Sequence, residues 1–282
     1  HVSEAVGAGR LDSEIEFWDS VPSAHRASLG RRALDPAIDP ARTAAARSIT
    51  LSPEFADRLL GSVPKAFGAD VSEVLVTALA VALTKWSGAG SVTIDLEGHG
   101  RDEDIVRGDG DAHVDLTRTV GWFTTVFPVA LEIGTAAPDL DASGELAGVL
   151  KNVKEQLRRV PNAGFGYGAL RYLGGSDQLR SVAAPEVVLN YLGRTAVAEG
   201  DWFPVSMDGA ADPSMPMGHA LSVDVVAEDA AGGPRLRATL TWASNIFLRS
   251  DIDKFARLWL DSLEAVSGLA AFGGATPSDY PL

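Results

Sequence analysis

The stretch Asp70–Trp86, DVSEVLVTALAVALTKW, is apolar on nearly every side. A helix lying on a protein surface needs one apolar stripe, whereas one that is apolar all round must be covered all round. The chain therefore has to build further layers about this segment. Asp70 stands at the N-cap position, with Glu73 three residues on in the capping-box position. The segment falls short of the roughly 20 apolar residues of a bilayer span, so a protein core is its destination. With 282 residues and 46% hydrophobic content, the chain can supply one large domain or two small ones.

The other elements follow from periodicity. Leu11, Ile15 and Trp18 recur at helical spacing and predict an amphipathic helix ending near Pro22. Residues 21–46, with Pro22, Pro36 and Pro40, read as a connector. Ser48–Leu51 predicts a short strand, and Ser52-Pro53 caps a helix over Glu54–Lys65. In Ser91–Leu96 the residues Val92, Ile94 and Leu96 alternate with Thr93, Asp95 and Glu97, the pattern of a half-buried strand. Further strands are expected at Phe123–Ile133, Glu186–Tyr191, Ala220–Ala227 and Leu236–Ala243, and helices at Leu140–Arg159 and Ser250–Leu269. The run AEDAAGGP at Ala227–Pro234 joins its two strands as a hairpin. Helices and strands mix without regular βαβ alternation, which favours an α+β layered sandwich over a doubly wound sheet.

Charge narrows the functions. A net charge of −14 disfavours nucleic acid and anionic membrane surfaces, both of which require clustered Lys and Arg. The absence of cysteine excludes disulfides, thiolate metal sites and cysteine nucleophiles. Neither a spanning helix nor a signal-peptide pattern is evident, so a cytoplasmic protein is expected. His1, His25, His113 and His219 lack ligand-like spacing and read as surface or structural residues, and no metal is expected.

Four runs could carry chemistry. Glu97-Gly98-His99-Gly100-Arg101-Asp102 puts a carboxylate at a strand end beside glycines, where backbone can approach closely; a solvated turn with a structural Arg101 is the simpler account of the local pattern. Arg118–Pro128 combines a basic residue, hydroxyls and aromatics, either core with a paired Arg118 or a cleft wall. Pro161–Gly168, PNAGFGYG, has G-x-G-x-G spacing but follows a helix, which argues against a phosphate loop and for a tight turn. Asn190 and Tyr191 end an apolar strand and point to opposite faces.

Taken in order, these runs resemble the later motifs of epimerization domains of nonribosomal peptide synthetases, members of the condensation-domain superfamily. The matching segments are EGHGRD at Glu97–Asp102, RTVGWFTTVFPV at Arg118–Val129, PNAGFGYG at Pro161–Gly168 and LNYLGR at Leu189–Arg194, with TWASNIF near the C-terminus. The likeness runs from about Ser48 onward, and the acidic EGHGR form separates epimerization domains from condensing relatives. Asp102 stands where the family commonly has Glu, and the family's His-His-x-x-x-Asp-Gly loop has no counterpart, since no His-His pair occurs here.

The resemblance implies a chloramphenicol-acetyltransferase-like α+β sandwich, mostly one lobe, with residues 1–46 the tail of the N-terminal lobe plus linker and 47–282 the C-terminal lobe. It implies inversion of Cα in an aminoacyl or peptidyl thioester on a peptidyl carrier protein. The 4′-phosphopantetheine arm belongs to that partner, and no cofactor is bound directly. Glu97 and Tyr191 are then the catalytic candidates. Asn190, His99, Arg118, Trp122 and Tyr167 are the substrate-binding candidates, and the missing histidine is supplied by an N-terminal lobe or upstream synthetase domain, without which this chain is inactive. The alternative is a non-catalytic scaffold that docks carrier or neighbouring domains.

Overall fold

A computed structural model describes residues 2–21, 29–101, 115–134, 138–174, 177–196, 212–230 and 232–280. Its centre is the apolar segment: helix Val71–Ser87 (α5), in which every residue from Glu73 to Thr84 is buried. Asp70 N–H donates to the Glu73 carboxylate at 2.7 Å, as the capping box requires. Two buried hydroxyls are satisfied within the helix, Thr77 on the Glu73 carbonyl and Thr84 on the Val81 carbonyl, both at 2.8 Å.

Helices Val2–Gly7 (α1) and Ile15–Ser20 (α2) precede strand Ala44–Leu51 (β1). Pro53–Asp57 (α3) and Val63–Phe67 (α4) are joined through a π-helical turn at Arg58–Ser62, one stretch where the sequence predicts a single helix. After α5 come Ser91–Gly98 (β2), Thr125–Glu132 (β3), helices Ser143–Arg158 (α6), Phe165–Tyr172 (α7) and Asp177–Ser181 (α8), strands Val187–Ala196 (β4), Leu221–Ala230 (β5) and Gly233–Ala243 (β6), and helix Arg249–Ser267 (α9). α7 departs from the sequence expectation, because its glycines read as a turn.

The strands form one six-stranded sheet in the order β1-β6-β5-β4-β2-β3. β4 lies parallel to both β2 and β5, and the other pairs are antiparallel, including the expected hairpin, which closes at Ala230↔Gly233. One face is apolar: Ile94, Val129, Leu189, Val223, Leu240 and Ile49 are all buried there, and α5 packs against α9 and α6 in the helical layer. This is the α+β layered architecture expected from the sequence.

The N-terminal segment is part of this packing. Trp18 is 2% exposed and lies edge-on to Phe127 and tilted on Tyr167. Its Nε1 donates to Glu14 at 2.8 Å, and Asn162 Nδ2 donates to the same carboxylate at 2.6 Å. A Cβ on Gly166 would stand 2.0 Å from Glu14 Oε2, so only glycine admits that buried carboxylate. The PNAGFGYG run is therefore a receptor for an acid, which leaves no place for a phosphate.

Arg158, at the end of α6, is structural. It donates to Glu73 at 3.1 Å, Asp279 at 2.8 Å and the Gly68 carbonyl at 2.6 Å. Lys154, fully buried, completes the cluster on Asp279 at 2.6 Å and the Phe67 carbonyl at 2.7 Å. Those contacts hold the Asp279 carboxyl far below the usual carboxylate range, first through the Lys154 hydrogen bond.

Candidate functional site

The sheet face opposite the helices is polar, and register shows why. Asp95↔Val188 and Leu96↔Leu189 are parallel partners, and one residue further that register sets Glu97 beside Asn190. Asn190 pairs with Asp224, Asp224 with Thr239, and Thr239 with Ser48. Paired positions share a face, so one row of polar side chains, Glu97-Asn190-Asp224-Thr239-Ser48, crosses five strands. In the row below, Asp95 is almost buried and lies 2.7 Å from His219 Nε2, in hydrogen-bond contact.

The electrostatics of this ledge are acidic and partly desolvated. Burial raises the Glu97 carboxyl above its ordinary value; the Asp224 carboxylate pushes it in the same direction, and His219 pulls it back. Burial likewise raises Asp224, against the Asn190 hydrogen bond that stabilises its anion. A half-buried carboxyl with raised proton affinity, set at a strand end, is suited to general acid-base work.

Two glycines shape the end of β2. Gly100 has φ +62°, and a Cβ there would lie 1.7 Å from the Phe123 carbonyl oxygen. The close approach brings the 115–123 segment against the strand end, where Arg101 fixes it by donating to the carbonyls of Leu116 at 2.6 Å and Thr119 at 3.0 Å. The Arg101 guanidinium also lies 4.4 Å from the centre of the Phe123 ring. Gly98 is the second: a Cβ there would stand 2.8 Å from the Thr125 hydroxyl oxygen on β3. Arg101 is thus the structural residue that the simpler reading of its motif required.

The remaining candidates are dispersed. Asn190 joins Glu97 on the ledge, whereas Tyr191 points to the helical face, half-buried among core residues, and burial raises its phenol. A bulge follows at Gly193, φ +80°, where the β4/β5 register shifts. His99 is exposed just beyond β2, its Nδ1 accepting the Arg101 N–H at 3.0 Å. Arg118 is exposed, and Trp122 is 91% exposed beside fully exposed Val120, so this part of the aromatic run is surface and only Phe127 is core. Tyr167 is buried in α7, its hydroxyl accepting from Arg171 at 2.5 Å, and it lines a cavity of about 550 Å³ with Trp18, Thr93 and Pro128. Asp102 and the histidines at 1, 25 and 113 lie outside the described residues.

Sequence reasoning missed Asp224 and His219. Asp224 was accessible as the one charge between Val223 and Val225, provided the strand register was known. His219 gave no signal, because it precedes β5 and meets Asp95 124 positions away in the chain. Among the described residues no group of three or more His, Asp or Glu side chains could hold a metal ion, and no single helix is long and apolar enough to cross a membrane.

A mixed six-stranded sheet with α5, α6 and α9 in a helical layer on one face is the α+β architecture of the chloramphenicol-acetyltransferase-like lobes. The chain belongs to the condensation domain family, which matches residues 3–271. That match takes in most of the first 46 residues as well as the motif-bearing region. The chain is 34% identical over 288 residues to chondramide synthase cmdD of Chondromyces crocatus, covering 99% of this chain and 7% of that protein. It is 36% identical over 194 residues to bacitracin synthase 2 of Bacillus licheniformis, covering 68% of this chain and 7% of that protein. The crystal structure of the epimerization domain from the third module of tyrocidine synthetase B matches with a TM-score of 0.77 and 28% identity, covering 95% of this chain and 58% of that one. The chain thus spans a small fraction of these synthases and little over half of the solved domain.

Proposed function

We propose that residues 47–282 are the C-terminal lobe, and residues 1–46 the tail of the N-terminal lobe plus linker, of an epimerization domain that inverts Cα of an aminoacyl or peptidyl thioester carried on the phosphopantetheine arm of a peptidyl carrier protein. The observation that carries this reading is Glu97: half-buried at the end of β2, in a row of polar side chains on the polar sheet face. A thioester acidifies its α-proton. A carboxylate of raised proton affinity takes that proton from one face, leaving an enolate, and a second group returns a proton to the other face. This reading takes the second group from the histidine of a complementary lobe. Asn190 is placed to orient substrate or Glu97, while Tyr191, on the opposite sheet face, is left a packing role. The exposed pair Val120 and Trp122 suits burial against that lobe or a carrier.

Chiral analysis of the thioester hydrolysate tests the proposal. With the His-bearing lobe and an L-aminoacyl carrier, a mixture of L and D product is expected. Retained configuration alongside measurable carrier binding would instead establish a docking scaffold, the reading favoured by the exposed apolar pair.

A further inference from the structure

The His219–Asp95 contact is not explained by packing alone. Asp95 lies almost buried on the polar face, two residues before Glu97 and on the same side of β2, where a lone carboxylate would be strongly disfavoured. The imidazole that satisfies it comes from the segment entering β5 and stays open on its other side to a cavity of about 540 Å³ shared with Arg42, Met217, Ser222 and Thr241. A histidine in contact with a carboxylate at 2.7 Å is held in one orientation, and its protonated form has a partner for its charge. It also acts on Glu97, in the direction opposite to Asp224 on β5.

The functional demand is two-sided. A group that removes a proton in one direction of inversion and returns one in the reverse direction must not be locked in either state. Burial and the Asp224 carboxylate favour the protonated form of Glu97, and His219 opposes them. The ionisable groups around it are Asp95 on its own strand, Asp224 across Asn190, and His219 in contact with Asp95, with the Tyr167 phenol on α7 under the influence of Asp95. Arg42 stands at the far wall of the cavity.

We propose that His219, clamped by Asp95 on the Glu97 side of β2, is a positioning residue for Glu97: its imidazole is held over the acidic ledge, where it opposes the groups that favour a protonated Glu97. The inference rests on the reading of Glu97 as the proton-carrying group, yet its electrostatic content is measurable without turnover. Carboxyl-carbon NMR of Glu97 in the full chain, titrated from pH 3 to 9, gives the midpoint directly.

In H219Q, whose amide still donates to Asp95, the Glu97 midpoint is expected to rise by about 0.5 pH or more, the effect of losing one charge across a partly solvated face. H219K, which keeps the charge, is expected to leave it near the native value; H219N replaces H219Q if that variant does not fold. An unchanged midpoint in the neutral variant, or an equal rise in H219K, overturns the proposal. The chemical role of Glu97 is judged separately, by α-proton exchange in E97Q, so a failure of that reading shows in a different experiment.

Discussion

Replacing Trp18 with alanine measures how firmly the N-terminal segment belongs to this lobe. The indole is 2% exposed and touches Phe17, Phe127 and Tyr167. Removing a side chain that buries about 200 Å² forfeits roughly 5 kcal/mol of transfer free energy at about 25 cal/mol per Å². Buried aromatic-to-alanine changes typically cost about 3–5 kcal/mol, because the site partly collapses. A loss of about 4 kcal/mol is expected for W18A. With a urea slope of about 3 kcal/mol/M, the upper end for small domains, the midpoint falls by about 1.3 M. W18F keeps most of the apolar contact and loses the Nε1–Glu14 bond at 2.8 Å, so about 1–2 kcal/mol is expected. Urea unfolding followed by circular dichroism and tryptophan fluorescence, with coincident transitions, supplies the numbers. A W18A midpoint within about 0.3 M of the native one, on the same slope, would refute the account: it would mean that residues 2–21 ride on the lobe without stabilising it.

Three other outcomes follow from the same contacts. D224N removes the like charge that raises Glu97 and is expected to lower the Glu97 midpoint in the NMR titration, the opposite direction to H219Q. K154M strips the buried partner from Asp279 and lowers the thermal midpoint at pH 7. The folded Asp279 carboxyl sits far below its unfolded value, so this contribution is complete above the ordinary carboxylate range and lost only as pH falls through the lower folded value; the gap between native and variant should persist down to about pH 4 and narrow in stronger acid, by calorimetry. G100A places a Cβ 1.7 Å from the Phe123 carbonyl at φ +62°, which must push the 115–123 segment off the strand end, and hydrogen exchange there should accelerate roughly tenfold or more while β5 and β6 stay protected.

Much of the fold was legible because periodicity reports burial. The all-round apolar run became α5, and alternation in Ser91–Leu96 separated the core residues Val92 and Ile94 from the polar Thr93, Asp95 and Glu97. Register was not legible. The parallel pairing of β4 with β2 and β5 depends on contacts far apart in sequence, and it is this pairing that sets Glu97, Asn190 and Asp224 in a row. The glycine-rich run misled because its glycines make room for Glu14 rather than for a turn alone, and half of it continues as helix α7. Alternation did separate Asn190 from Tyr191, but only the sheet order shows that Asn190 shares the face of Glu97 and Tyr191 does not.

The central claim is that Glu97 carries the proton in inversion at Cα. Deuterium wash-in at the α-carbon of a carrier-bound aminoacyl thioester, followed by mass spectrometry in deuterium oxide with the complementary His-bearing lobe present, tests it most directly. Exchange by the native chain that falls roughly 100-fold or more in E97Q, with carrier binding and stability retained, is the predicted result. Native-level exchange in E97Q would contradict the account and move the catalytic group off this ledge.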